Sequence, residues 1–353
     1  MSELVRAAVA AIVDGQSLSQ EDARLAMGAV MDGEATPSQL AALLMGLRMR
    51  GETADELAGF AQAMRERVTR VEAPSGTIDV VGTGGDGSGT FNISTTAALL
   101  VAAMGIPVAK HGNRAITSQS GSADVLDALG IRIDHDAASA GEALAEHGFA
   151  FLFAPAFHPA MRHAGPTRRE IGVRTAFNLL GPLTNPAGAT RALIGVGVAE
   201  AAPRIADVAA RLGTERTFVV HGAGVDELPL DDTGVLYHVG PEGIERHEVR
   251  ATQLGFTKAS TAKLAGGTAQ DNARMVEAVL RGEPGARRDV VLLNAAAALL
   301  VAGAVDRLEE GIDRASLAVD AGVGMELLGR LRAERRVADA AKAAAEAAQA
   351  SPA

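Results

Sequence analysis

From Thr77 onward, short β-branched or aromatic runs return again and again between alanine-rich stretches: "TIDVV", "IPVAK", "FAFLFA", "RALIGVGV", "RTFVVHG" and "GVLYHVG". Strands separated by a helix cannot close as tight hairpins, so such alternation builds a mostly parallel sheet covered on both faces by helices. Residues 3 to about 70 have another texture. Their apolar positions fall at helical spacing, Ser19 and Thr36 stand where N-caps belong, and Gly51 stands where a helix would stop. The expectation is an α/β protein: a small all-helical domain over residues 1–72 and a larger α/β domain over residues 73–353, with a mostly parallel central sheet flanked by helices. The segment "HPAMRHAGPTRREIGVRTAFNLLGPLTNPAG" carries four prolines and four glycines. Its residues from about 165 to 186 are expected to join the N-terminal helices in space. The closing "RVADAAKAAAEAAQASPA" reads as a helix that frays.

Composition removes several function classes. The 353 residues are 48% hydrophobic and 22% charged, ordinary globular usage for about two domains. Aromatic residues make up 3%, and the net charge is −10. Base-stacking platforms and a broad phosphate-binding surface are therefore not expected. With no cysteine, thiolate catalysis, disulfides and Cys-ligated zinc are excluded. The N-terminus lacks a basic stretch followed by a long apolar one, and the longest apolar run, "VVLLNAAAALLVAGAV", is interrupted by Asn294. The expectation is a cytoplasmic protein.

Against this background the stretch "VGTGGDGSGTFNIST" is unusual, with five glycines in the nine positions from Gly82 to Thr90. It follows a buried-strand pattern and precedes a helix with Ser94 and Thr95 near its start. A strand, a glycine turn and a helix N-terminus together aim backbone N–H groups and a positive dipole end at an anion. The pattern is neither G-x-G-x-x-G with a suitably placed acid nor a phosphate loop ending in Gly-Lys-Ser/Thr. A plain structural turn is the competing reading; Asp86, Asn92, Ser94 and Thr95 argue for ligand chemistry.

The next strand ends in "VAKHGNRAITSQSGSADVLDALG", where Lys110, His111, Asn113 and Arg114 gather at a C-terminal strand end, the place where parallel sheets bind ligands. Ser118, Ser120 and Ser122 follow as possible phosphate donors, although a solvated loop with a serine cap at Ser122 fits the same residues. Asp226 and Glu227 in "GAGVDELPL" offer hard oxygens suited to Mg²⁺, or form a solvated loop. His135, His147, His163 and His238 carry no catalytic expectation, and neither a nucleophile elbow nor an evident triad is present.

In order along the chain, "GTGGDGSGTFNIST", "KHGNRAITSQSGSADVLDALG", "GVRTAFNLLGPLTNP" and "VHGAGVDELPL" closely resemble the anthranilate phosphoribosyltransferase family, of the nucleoside phosphorylase-like class, over nearly the whole length. The resemblance implies a homodimer, each subunit with its active site in a cleft between the helical and α/β domains. It also implies transfer of the phosphoribosyl group from phosphoribosyl pyrophosphate to the amine of anthranilate, with Mg²⁺, two ions per subunit.

Matched position by position, the resemblance assigns Gly82, Gly85, Asp86, Thr90, Asn92, Ser94, Thr95, Lys110, Ser118 and Ser122 to the phosphoribosyl donor. Gly82, His111, Asn113 and Arg168 fall where anthranilate binds, with Arg169 a rival for the carboxylate. Ser94, Asp226 and Glu227 fall at metal-ligand positions. Lys110, His111 and Asn113 would position the reactants rather than react. Met161 departs from a position that can be tyrosine in relatives. By its own residue type, Arg168 in "PTRREIG" could equally be a surface helix residue. Displacing pyrophosphate from the ribose separates charge, which calls for metal, backbone donors and Lys rather than a covalent nucleophile. Two alternatives remain open: a pyrimidine nucleoside phosphorylase of the same fold, and a non-enzymatic nucleic-acid-binding relative.

Overall fold

The computed structural model describes residues 1–115 and 119–350. Its first four helices are α1 (Glu3–Val13), α2 (Gln20–Met31), α3 (Pro37–Arg50) and α4 (Ala54–Glu66). Local chemistry sets their boundaries. The Ser19 side chain accepts the Asp22 N–H, Thr36 and Gln39 form a reciprocal capping box ahead of Pro37, and Thr53 and Glu56 form another. Glu56 is buried, and its carboxylate accepts the Leu18 N–H at 2.9 Å and pairs with the Arg50 guanidinium. Those bonds hold its carboxyl below the usual carboxylate range despite burial.

The chain then alternates: β1 (Ile78–Gly82), α5 (Ile93–Ala103), β2 (Val108–Gly112), α6 (Ser122–Ala128), α7 (Ala137–His147) and β3 (Phe149–Phe153). Three short helices, α8 (Ala154–Phe157), α9 (Gly165–Ile171) and α10 (Phe177–Leu180), lead to β4 (Arg191–Gly195), α11 (Ala202–Arg211) and β5 (Arg216–Gly222). A hairpin of β6 (Thr233–Gly240) and β7 (Gly243–Arg250) precedes α12 (Ala269–Leu280), α13 (Ala286–Ala302), α14 (Leu308–Asp320) and α15 (Val323–Ala350).

Among the described residues the sheet has seven strands in the order β3-β2-β1-β4-β5-β6-β7. The first five are parallel, and β6 and β7 are antiparallel. Only Pro241 and Glu242 join β6 to β7, too few residues for a crossover. The run "GVLYHVG" therefore pairs antiparallel, and β7 has no apolar alternation by which its sequence could announce it, being exposed except at Val249.

One face of the sheet carries Val80, Leu193, Phe218 and Val220, packed against α5 and α13. The other carries Val81, Ile194 and Val219, in one continuous apolar cluster with α11 and the N-terminal helices. Residues Ala164, Phe177, Leu180 and Leu183 belong to this second cluster, and Arg65 Nε donates to the Leu183 carbonyl at 2.7 Å. Asn294, which interrupts the apolar run of α13, is fully buried. Its amide exchanges two 3.0 Å hydrogen bonds with the Leu228 backbone and so braces the loop between β5 and β6. No helix among the described residues is long and apolar enough to cross a membrane.

Strand order reverses at β1, with β2 on one side and β4 on the other. In open parallel sheets the crevice beyond the C-terminal ends at such a reversal is where ligands bind.

Candidate active site

Gly82 ends β1 at this reversal, opposite Gly195 on β4. Between Gly82 and α5, Gly84, Gly85, Gly87 and Gly89 all have φ between 63° and 73°, a left-handed conformation that L side chains resist. Gly82 is required for a different reason: a Cβ there would lie 2.3 Å from Asp226 Oδ2. That oxygen accepts the Gly84 N–H at 2.9 Å, and Glu227 Oε1 accepts the Ser94 N–H at 2.9 Å in the first turn of α5. Two backbone donors of the glycine loop and helix start are thus engaged by carboxylates of the chain itself.

Those carboxylates crowd. Asp226 is pushed up to about 6 by burial and by neighbouring Asp86, and Glu227 is raised well above the usual range by burial and by Asp226. One carboxylate oxygen of Asp86, Oδ2, is buried without a hydrogen-bond partner among the described residues. Beneath them Lys110, 2% exposed, donates through Nζ to the Val80 carbonyl at 2.5 Å. Burial holds its ammonium below its ordinary value, against the pull of Asp79, Glu227 and Asp226. Hard acidic oxygens that repel one another, one of them unpartnered, suit a divalent cation such as Mg²⁺.

On the other side of Gly82 lies a cavity of about 680 Å³, bordered by His111, Asn113, His158, Arg168 and Phe177. The His111 Nδ1 is 3.1 Å from the Gly181 carbonyl, and its Nε2 is buried with no partner among the described residues. Because a carbonyl only accepts, Nδ1 carries the proton and Nε2 is a free acceptor. His158 stacks at a tilt, 5.1 Å between ring centroids, also with an unpartnered buried Nε2. Burial lowers His111 to about 3 and His158 to about 4, so both rings are neutral at pH 7. The Arg168 guanidinium sits 4.6 Å over the Phe177 ring, held below its usual pKa by burial, and among the described residues no carboxylate pairs with it. Arg162 and Arg169 line the same cavity.

Two family models cover most of the chain: a glycosyl transferase family helical bundle domain over residues 6–68 and a glycosyl transferase family a/b domain over residues 75–325. The anthranilate phosphoribosyltransferase of Pelotomaculum thermopropionicum is 48% identical over 330 residues, which are 93% of this chain and 96% of that one. The chain belongs to the anthranilate phosphoribosyltransferase family. The enzyme of Anaeromyxobacter dehalogenans is 47% identical over 95% of this chain and 99% of its own. The crystal structure of the anthranilate phosphoribosyltransferase of Thermus thermophilus has a TM-score of 0.88 at 44% identity, covering 93% of this chain and 99% of that one. The Saccharomyces cerevisiae family member solved in complex with phosphoribosyl pyrophosphate and Mg has a TM-score of 0.87 at 26% identity, covering 95% of this chain and 99% of that one. These relatives support the transferase reading rather than the phosphorylase or the nucleic-acid-binding one.

Within this family member, the residues singled out in the sequence divide between the two sides of Gly82. Asp86, Ser94, Asp226 and Glu227 meet around the glycine loop, while His111, Asn113 and Arg168 share the cavity. Asn92 is tied on both sides: its Oδ1 accepts from Asn272 Nδ2 at 2.8 Å, and its Nδ2 donates to the Ser120 carbonyl at 3.4 Å. Thr90 Oγ1 is 3.3 Å from Ser88 Oγ, and Thr95 is buried in α5. The N-cap of α6 is Gly121, not Ser122, whose hydroxyl donates to the Asn113 carbonyl at 3.3 Å. Arg114 turns away to pair with Asp124 at 2.8 Å. Ser118 lies outside the described residues.

Two further residues at the site are not singled out by the sequence. Nothing local distinguishes His158, and only folding brings it to His111. Arg174, inside "GVRTAFNLLGPLTNP", donates to the Gly85 carbonyl at 2.6 Å and the Gly84 carbonyl at 3.1 Å, holding the glycine loop from the opposite wall. Its position within a recognisable motif was the available signal.

Proposed function

We propose that this protein transfers the phosphoribosyl group of phosphoribosyl pyrophosphate to the amine of anthranilate, giving phosphoribosylanthranilate and pyrophosphate in tryptophan biosynthesis. The observation that carries the reading is the junction at Gly82: a glycine loop with crowded carboxylates on one side, and on the other a cavity holding a half-buried guanidinium, with no carboxylate partner among the described residues, and two neutral imidazoles.

In this reading the loop from Gly82 to Asn92, with Ser94 and Thr95 at the start of α5 and Ser118 and Ser122 beyond β2, holds the donor. Gly85 lets the backbone approach a phosphate, and Lys110 lends positive charge from beneath the sheet. Asp226 and Glu227, with Ser94, hold Mg²⁺, two ions per subunit. The yeast relative solved with phosphoribosyl pyrophosphate and Mg supports the use of this ion. When bound, it neutralises charge on the departing pyrophosphate.

The acceptor lies in the cavity. Arg168 meets the anthranilate carboxylate through its paired N–H groups, a fork that matches two oxygens. The free Nε2 acceptors of His111 and His158 take the amine N–H groups, which turns the nitrogen lone pair toward the sugar, and Asn113 closes the wall. An aromatic amine is neutral at pH 7, so alignment rather than deprotonation is the main demand. Holding two reactants in line can contribute about 7–11 kcal/mol. We further infer a cytoplasmic homodimer, in keeping with the exposed Leu4, Val13 and Met49 on the N-terminal helices.

The test follows anthranilate fluorescence as phosphoribosyl pyrophosphate and Mg²⁺ are added, beside a parallel reaction with thymidine and phosphate. Loss of anthranilate signal that requires both additions is expected. Phosphorolysis of thymidine without anthranilate turnover would overturn the assignment.

A further inference from the structure

The β6–β7 hairpin lies at the edge of the sheet, away from the glycine loop. His238 faces Glu245 directly across the antiparallel ladder, and His247 follows two residues later on the same face of β7. One ligand atom from each of the three residues lies within 4.8 Å of the other two, the only such grouping of His, Cys, Asp and Glu among the described residues. Glu245 Oε2 and His247 Nε2 are already 3.3 Å apart, close to the separation of two ligands on one tetrahedral ion. The His238 ring is fixed by edge-on packing against Phe218, at 5.0 Å and 77°. A paired ladder and a packed ring supply the rigidity that scattered surface side chains lack.

We propose that His238, Glu245 and His247 form a binding site for a single transition-metal dication of the Zn²⁺ class, with a fourth position open to solvent. Two imidazoles and one carboxylate are the donor set that Zn²⁺ and its neighbours accept, whereas Mg²⁺ demands oxygen. Arg216, on the adjacent strand β5, opposes a cation there. It also helps burial hold His238 below its ordinary pKa, and therefore in the neutral form that ligates. Its Nη1 is engaged at 3.1 Å by the Leu300 carbonyl.

The site lies to the side of the catalytic crevice, at the far edge of the sheet: β4 and β5 stand between β1, which the glycine loop leaves, and the β6–β7 hairpin. An ion there joins the exposed strand β7 to β6 and makes the edge harder to peel, so its role is structural and not catalytic.

The experiment titrates the full-length, tag-free protein with Co²⁺ in excess Mg²⁺, which occupies oxygen sites, and reads the visible d–d absorption. Zn²⁺ is then added in competition. One equivalent of Co²⁺ with a tetrahedral-type band, displaced by Zn²⁺, is expected. His247→Ala and Glu245→Gln, both exposed and outside the active site, should each weaken binding by roughly tenfold or more while anthranilate turnover is unchanged. Zn²⁺ should raise the Tm of the native chain and not that of His247→Ala. Failure to bind saturably overturns the proposal. So does binding that persists undiminished in both variants, which would place the ion on other residues.

Discussion

Asp226 occupies the space that a side chain on residue 82 would need: a Cβ on Gly82 would sit 2.3 Å from its Oδ2 and 3.0 Å from its Cγ. The absence of a side chain at the end of β1 is therefore what lets an acid from the β5–β6 loop reach the Gly84 N–H. Gly82→Ala should push that carboxylate aside without disturbing the sheet core. The expected result is a Mg²⁺ requirement raised about tenfold or more in activity titrations, with a far-ultraviolet circular dichroism spectrum like that of the native protein. An unchanged Mg²⁺ curve would separate Asp226 from the metal.

The carboxyl of Asp226 is pushed up to about 6, so it takes on a proton in mildly acidic solution. A protonated carboxyl does not ligate, and apparent Mg²⁺ affinity should fall by up to tenfold per pH unit below about 6. The stability effect has the opposite sign. A folded pKa above the unfolded value means that the ionised form is disfavoured by folding; the metal-free protein loses stability on this account as pH rises from about 4 to about 6. Asp226→Asn should weaken Mg²⁺ binding at neutral pH and flatten both trends. Calorimetric Mg²⁺ titrations and thermal melts over this range test both, and a steep slope surviving in the variant would assign the proton elsewhere.

Arg168, stacked on Phe177 with no carboxylate partner among the described residues, is set to meet an acid that comes from outside. Charge-assisted hydrogen bonds contribute about 1.5–3 kcal/mol, so Arg168→Ala should raise the KM for anthranilate roughly ten- to a hundredfold. The KM for the donor should change much less. Lysine keeps the charge and loses the fork, so Arg168→Lys should recover part of the effect. If Arg169→Ala, and not Arg168→Ala, disrupts anthranilate kinetics, the neighbouring arginine holds the carboxylate.

With pKa values of about 3 and about 4, His111 and His158 do not change charge in the working range of the enzyme. At saturating Mg²⁺, kcat/KM for anthranilate should show no limb from either ring between about pH 5 and pH 8. His111→Ala should still raise the anthranilate KM severalfold by removing an acceptor. A limb near the ordinary histidine pKa of about 6.5 that vanishes in this variant would give the ring a titrating role.

Local chemistry was enough to read a great deal of this protein. The β-branched or aromatic runs of β1 to β5, the caps at Ser19 and Thr36, and the glycine turn before α5 each depend on neighbours a few residues away, so their patterns survive in one dimension. The same holds for the motifs that revealed the family. Tertiary structure decided what depends on residues far apart in the chain. The lysine at the end of "IPVAK" became a buried donor to Val80, because the strand's alternation turned its side chain under the sheet. Asp226 reached Gly84 across 142 positions, and His158 met His111 across a crossover, neither having a local signal. Strand β7 was invisible for the complementary reason: an exposed edge has no apolar face to write into its sequence, and only hydrogen bonding to β6 makes it a strand.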